Sequence, residues 1–382
     1  MPGEDLGWLG RDEIEPFLLG LGFMGTGGGG SLAFGREIML NDQARGRRYQ
    51  VVSPAEVPDG ALVVSGGIMG SVKALERFSV QEIVEDWEKR YEPLVALRAM
   101  EEVLGQEVDF LVPFELGSLN TPVILSLGAR AGIPVVDGDG LGRAAPETQM
   151  TSFAGHGVSI VPMPLADAKG NLVVVKDAVS PFVPDEVGRF VVTKAGGMGA
   201  NSHYPMNGRT FREVVVPGTL SLALKLGKRV VSLSDPEAVA QAVAEELGGR
   251  FAFRGTVREL SESEAMGFFV QTALIEGEGP YRGSTLEVTI KNEYMMAAKD
   301  GVVGCVFPDL IIAIGEDGRP VMSVELVSGK RVWVVLAPCA PRLREAALSP
   351  VGKEALGPAR FGHPEIEYFP VEELSCAWGL KW

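Results

Sequence analysis

"VDFLVPFELGSLNTPVILSLGARAGIPVVDGDG", residues 108–140, decides the fold. An apolar strand, VDFLVPFELG, ends in a glycine turn; TPVILSLGARAG (121–132) follows as a helix, and IPVVDGDG returns as a second apolar strand. A strand, a helix and a strand in that order make a parallel unit. GALVVSGG (60–67) is an earlier strand entering a glycine turn, and SVQEIVEDWEKRYEPLVALRAMEEVLG (79–105) carries apolar residues at helical spacing. Toward the amino end, RDEIEPFLLGLG (11–22) reads as a short amphipathic helix, followed by GTGGGG (25–30) and a second helix, SLAFGREIMLNDQ.

Beyond about residue 165 the pattern changes. NLVVVKDA, GRFVVTKA, REVVVPGT, RFAFRGTVREL, STLEVTIKNEYMMAAKDG, DLIIAIGEDG, PVMSVEL and KRVWVVLAP read as short strands split by turns. One helical stretch, SDPEAVAQAVAEELGG (234–249), interrupts them, with Asp235 as N-cap before Pro236. The expected fold class is α/β: a mainly parallel α/β domain over 1–165, carrying the glycine-rich and DGDG loops, then a β-rich domain over 166–382.

The 382 residues suffice for two cores. Thirty-five Lys and Arg against 50 Asp and Glu give a net charge of −15, which repels a phosphate backbone and disfavours nucleic-acid binding. No apolar run is long enough for a spanning helix, and the acidic start, MPGEDLGWLGRDE, is no signal peptide, so a cytoplasmic protein without membrane partners is expected. Cys305, Cys339 and Cys376 are too few and too far apart for a disulfide framework or a metal knuckle, and are read as buried or semi-buried thiols.

In parallel α/β sheets ligands sit beyond the carboxyl ends of the strands. SGGIMGS (65–71), FELGSLN (114–120) and DGDGLGRAAPE (137–147) share that address, so Glu115, Asn120, Asp137, Asp139, Arg143 and Glu147 are candidates for one pocket. Asp-Gly is also ordinary turn chemistry; two in tandem, followed by Arg and Glu, favour function. DGDG is not a calcium loop, because Leu141 and Thr148 stand where oxygen ligands are required. GTGGGG lacks the strand and the GK[ST] ending of a phosphate cradle. Gly27, Gly28 and Gly29 are therefore read as backbone brought close to a small ligand, with a surface turn as the plain alternative. Of three histidines, His156 and His363 read as structural, whereas His203 in GANSHYPMNG is a candidate general acid/base or ligand. Asn292 and Glu293, beside Lys291 in an apolar run, need partners, either at a domain interface or in the site.

GTGGGG, SGGIMGS, FELGSLNTP, PVVDGDGLGRAAPETQM, VPGTLSLALKLG, IEGEGPYRGSTLEVTIKNE and FPDLI, in this order from about Asp12 to Phe369, resemble the S-methyl thiohydantoin desulfurase family. The resemblance implies hydrolysis of a methylthio-substituted imidazolone ring to the hydantoin and methanethiol, and an association with hydantoinase/oxoprolinase proteins. On that chemistry Asp139 or Glu115 is the expected general base, and Asp137 orients its partner. Arg143 and Glu147 shape the pocket, and Asn120 with the Gly27–Gly29 backbone holds the ring carbonyls. The alternative function is a non-catalytic subunit or ligand-binding partner of a hydantoinase/oxoprolinase system. No ligand spacing assigns a cofactor; a divalent metal on Asp137, Asp139 and His203 is the one metal arrangement these residues suggest. A homo-oligomer is expected, with IIAIG and VWVVL as strands that need cover.

Overall fold

A computed structural model describes residues 7–70, 79–265 and 268–382; Met1–Leu6 of the acidic start and Ser71 of SGGIMGS lie outside them. The first sheet has seven strands in the order β1-β4-β3-β2-β8-β6-β7. These are β1 (Val51–Val52), β2 (Leu62–Gly70), β3 (Phe110–Pro113), β4 (Val135–Val136), β6 (Met163–Asp167), β7 (Leu172–Val175) and β8 (Met198–Asn207). β1, β4, β3 and β2 run parallel, and β8, β6 and β7 add antiparallel strands at one side. Short β5 (Gly138–Asp139) and β9 (Val216–Pro217) pair separately. The second sheet is antiparallel throughout, in the order β14-β13-β12-β11-β10-β16-β15. It comprises β10 (Arg250–Ala265), β11 (Phe268–Gly277), β12 (Thr285–Lys291), β13 (Glu293–Lys299), β14 (Val302–Val306), β15 (Leu310–Ile314) and β16 (Arg331–Ala337). The chain is thus an α/β fold, with parallel strands and helices first and an antiparallel β-rich half after them.

Several local expectations change. GRFVVTKA is not a strand but part of the helix Phe182–Ala195. Its buried positions 184, 185, 188, 189, 192 and 195 recur at helical spacing, and Gly196 closes it in the left-handed region at φ +108°. The first three residues of REVVVPGT end the helix Gly208–Val214 and only Val216–Pro217 of it form a strand, β9, while within PVMSVEL a 3₁₀ turn spans Ser323–Glu325. The 79–105 helix splits into Val80–Asp86 and Glu92–Leu104, with Pro93 opening the second. Asp235 does cap its helix, accepting from Ala238 N at 2.9 Å. VWVVL lies in β16, between β10 and β15, and IIAIG forms β15, which is buried along its length; both strands are covered within the chain. Cys305 and Cys339 are buried, but Cys376 is exposed. Among the described residues no helix is long and apolar enough to cross a membrane.

The helices Ile14–Met24 and Thr219–Val230 pack backbone to backbone. A Cβ on Gly20 would lie 1.8 Å from the Ala223 carbonyl oxygen, and one on Gly227 would lie 1.6 Å from that of Pro16. Side-chain movement cannot relieve a clash with backbone. Gly227→Ala should therefore destabilise the protein by about 1–3 kcal/mol, the cost of overpacking, while Gly60→Ala, which meets nothing within 4 Å, should be neutral. Denaturant titration of the two variants beside wild type tests this; equal midpoints would refute the close crossing.

Candidate active site

Beyond the carboxyl ends of β2 and β3 a cavity of about 60 Å³ opens between the two sheets. Its side-chain lining includes Glu115, Asn120, Arg189, His203, Asn292 and Glu293, with backbone from Gly29, Gly30 and Gly67 to Gly70. At about one probe sphere per water, this volume admits only a few waters, the size class of a small planar ring and far below a nucleotide.

The glycine run forms the junction. Gly29 O accepts from Leu119 N at 2.9 Å, Thr26 O from Tyr294 N at 2.9 Å, and Gly27 O from Ser323 N at 2.8 Å, so one loop is tied to both halves of the molecule. A Cβ on Gly29 would lie 2.4 Å from Gly117 Cα, and one on Gly28 would lie 1.9 Å from Glu293 Oε1. Gly27 packs on the Tyr294 ring and Gly28 on Glu293; of the three, only Gly29 lines the cavity.

Glu115 follows β3. Its Oε1 accepts from Asn120 Nδ2 at 2.6 Å and its Oε2 from Ala145 N at 2.8 Å. Burial pushes its carboxyl up to about 7, against the pull of those two donors and of the Arg143 charge. Glu293, at the start of β13, is raised further, well above the ordinary range, by burial and then by the Glu115 charge. It accepts from the Gly29 N–H, but its Oε2 has no partner. Asn292, at φ +58°, accepts from Phe269 N through Oδ1 at 2.9 Å, and this sharp bend sets the start of β13 against the cavity.

His203 comes from β8, where the pairing with β2 slips between Val63 and Ser65. The next residue, Tyr204, has φ +52°, and its hydroxyl donates to Thr148 O at 2.8 Å. Burial lowers the His203 imidazole to about 3, so the ring is neutral, and its Nδ1 is unpartnered. Asn120 spends both ends of its amide on protein: Nδ2 on Glu115, and Oδ1 on Ile68 N at 2.8 Å. The Nδ2 bond holds the Glu115 carboxyl in place.

Four candidates from the DGDG stretch are not in the cavity lining. Asp137 caps the helix Thr219–Val230, accepting from Leu220 N at 3.0 Å and Ser221 N at 3.1 Å. Asp139, fully buried and raised to about 7 by burial, accepts from Leu141 N and Gly142 N at 2.9 Å and closes its own turn. Arg143 is fully buried in the wall, donating to the carbonyls of Ala144, Tyr294 and Asp309 at 2.9, 3.0 and 2.6 Å. Glu147 lies in a neighbouring cleft of about 840 Å³, paired with Lys291 and Arg360. Asp137, Asp139 and His203 do not gather as a metal site: among the described residues no group of three or more His, Cys, Asp or Glu is placed to hold an ion.

Arg189 is the site residue that the strand reading of GRFVVTKA concealed. Its Nε donates to Asp185 Oδ2 at 2.7 Å, its guanidinium stacks on Phe268 at 3.7 Å, and its buried Nη1 has no partner. A helical reading of residues 182–195 would have put Asp185 and Arg189 one turn apart on the buried face.

The S-Me-THD-like N-terminal domain model matches residues 12–177, and the S-Me-THD-like C-terminal domain model matches residues 180–371. A crystal structure of a protein from Chromobacterium violaceum is similar at 25% identity and a TM-score of 0.76, over 94% of this chain and 98% of that one. No curated protein matches.

The raised Glu115 carboxyl makes a signed prediction. Between the ordinary carboxylate value of 4.5 and about 7 the folded state holds a proton that the unfolded chain has lost. The group's contribution is therefore fully present below 4.5 and is lost as pH rises through 7. Glu115→Gln should flatten the fall in stability between about pH 5 and pH 7 by on the order of 1–3 kcal/mol. Denaturant midpoints across that range check it, and a variant slope as steep as wild type would show that Glu115 is ionised throughout.

Proposed function

Because the chain belongs to the S-Me-THD-like family over both matched segments, we propose that it is a hydrolase of hydantoin-like rings, converting an S-methyl thiohydantoin to the hydantoin and methanethiol. The observation that carries this reading is an asymmetry between two buried carboxyls on one small cavity. Both oxygens of Glu115 accept hydrogen bonds from protein donors, which favours the carboxylate, whereas Glu293 Oε2 receives none, which favours the acid. Environments that push two carboxyls apart in this way assign a base and an acid.

Glu115 draws a proton from a water poised at the ring carbon that bears sulfur. The C–O bond forms, the C–S bond breaks, and the two hydrogens of water end on the ring nitrogen and on methanethiol. Glu293 supplies its proton as the sulfur departs, and the Glu115 proton restores it. Asn120 holds Glu115 in register, the free Arg189 Nη1 offers an N–H to a ring carbonyl, and the neutral His203 faces the ring across the cavity. Exclusion of bulk water strengthens each of these contacts.

The purified chain, incubated with an S-methyl thiohydantoin and a thiol-trapping reagent, should release methanethiol without a partner protein. Ring binding without release would favour the subunit reading. Glu115→Gln should lower kcat by roughly 10²-fold or more, the scale of a general base. Asp139→Asn should chiefly lower stability, by about 1–3 kcal/mol, because its oxygens serve backbone N–H groups. The reverse pattern would move the base to Asp139. The rate should rise with pH toward a plateau as the Glu115 carboxyl, near 7, ionises, and fall again at higher pH as the acid partner is lost.

A further inference from the structure

The cavity is better furnished than a sulfur leaving group requires. Methylthio sulfur is a weak acceptor and offers no hydrogen to donate, and it is a good enough leaving group to depend little on the proton that Glu293 supplies. The cavity lining also includes Glu293, whose buried Oε2 has no hydrogen-bond partner in the protein. A buried polar group left unmatched costs free energy, and methylthio sulfur would leave this one poorly matched in the bound complex as well. An exocyclic imine nitrogen at the same ring position is a strong acceptor for a carboxylic O–H and would complete it. It is also smaller than methylthio, which suits a cavity of about 60 Å³.

From the unpartnered oxygen of Glu293, which lines this cavity together with Glu115, we infer that the site also hydrolyses cyclic guanidines, of which 2-iminohydantoin is the simplest, to the hydantoin and ammonia. The inference rests on the assignment of Glu115 and Glu293 as base and acid given above. In the first step Glu115 takes a proton from water as oxygen bonds to the ring carbon, and Glu293 delivers its proton to the imine nitrogen, giving a carbon that bears OH and NH₂. In the second step the carboxyl pair returns the water's first proton to that nitrogen and takes the hydroxyl proton. The C–N bond breaks, ammonia leaves, and the carbonyl forms. Nitrogen gains two hydrogens, one from Glu293 and one from water, the second water hydrogen replaces the proton that Glu293 gave, both carboxyls end as they began, and no oxidant or second substrate is consumed. Amide anion does not depart unprotonated, so this reaction depends on the acid where thiolate loss depends on it less.

The experiment compares the full chain on 2-iminohydantoin, with ammonia and hydantoin measured, and on S-methyl thiohydantoin, with methanethiol trapped. Wild type should release ammonia and hydantoin in equal amounts. Glu293→Gln should cut ammonia release by about 10²-fold or more and methanethiol release by about tenfold or less. Methanethiol release without ammonia release overturns this inference and leaves the proposed function standing. Ammonia release alone supports it and removes the sulfur substrate. Silence on both substrates overturns both, and equal losses in Glu293→Gln remove the acid role on which the inference stands. Should that variant fail to fold, wild-type pH profiles decide: ammonia release should fall on the alkaline side at a pH where methanethiol release still holds its plateau, and parallel profiles overturn the inference.

Discussion

The arrangement depends on one buried cation. Arg143 leaves the DGDGLGR loop of the first half and spends its guanidinium on backbone carbonyls of the second, at Tyr294, Pro308 and Asp309, while stacking on Phe307 at 4.6 Å. It is fully buried, and burial lowers even this guanidinium to about 10. A planar fork with five donors suits a cluster of carbonyls; the point charge of a lysine would not. By bonding Tyr294 O, Arg143 fixes the residue after Glu293. By accepting from Leu116 N at 3.1 Å, its own carbonyl oxygen fixes the residue after Glu115. One side chain and its backbone therefore set both carboxyls.

Charge balance follows from the same placement. Arg189 is paired with Asp185, and both Arg143 and Arg189 act on the two glutamates. Burial is the first reason that the pair retains a proton ordinary carboxyls lose, and at Glu293 the Glu115 charge adds to it, while Arg143 pulls the other way on both. The second glutamate is a cost to stability that the fold carries because Arg143 limits it. The glycines serve that end as well: Gly28 leaves room for Glu293 and Gly29 lets its loop touch Gly117, so the wall between the sheets is backbone and the carboxyls lie close behind it.

Much of this was legible in the residues, and the failures have physical causes. The βαβ reading of 108–140 gave the parallel strands, and their carboxyl ends gave Glu115, Asn120 and the site's address. His203, Asn292 and Glu293 stood out as polar groups in apolar or glycine-rich settings, and they do reach the cavity. Asp137, Asp139, Arg143 and Glu147 drew attention through the same logic, but a charged residue after a strand has a second use, which is to satisfy backbone. Asp137 and Asp139 serve N–H groups and Arg143 serves carbonyls, and composition does not separate that role from chemistry. Arg189 was hidden because Val191 and Val192 favour a strand locally, while the helix there is decided by burial against the first sheet.

Placing the two buried carboxyls on opposite sheets has a consequence that one element could not give. Two carboxyls on a single helix or strand are separated by fixed covalent geometry. Here Glu115 hangs from the end of β3 and Glu293 from the start of β13, so their spacing is set by how closely the sheets approach, through Gly29 on Gly117 and Arg143 on its carbonyls. Charge coupling in a buried site changes steeply with distance. Small changes in that approach therefore retune both titrations together and leave the identity of either residue untouched. A junction made of backbone and one multidentate arginine, with few rotatable side chains, is the construction that keeps such a distance constant.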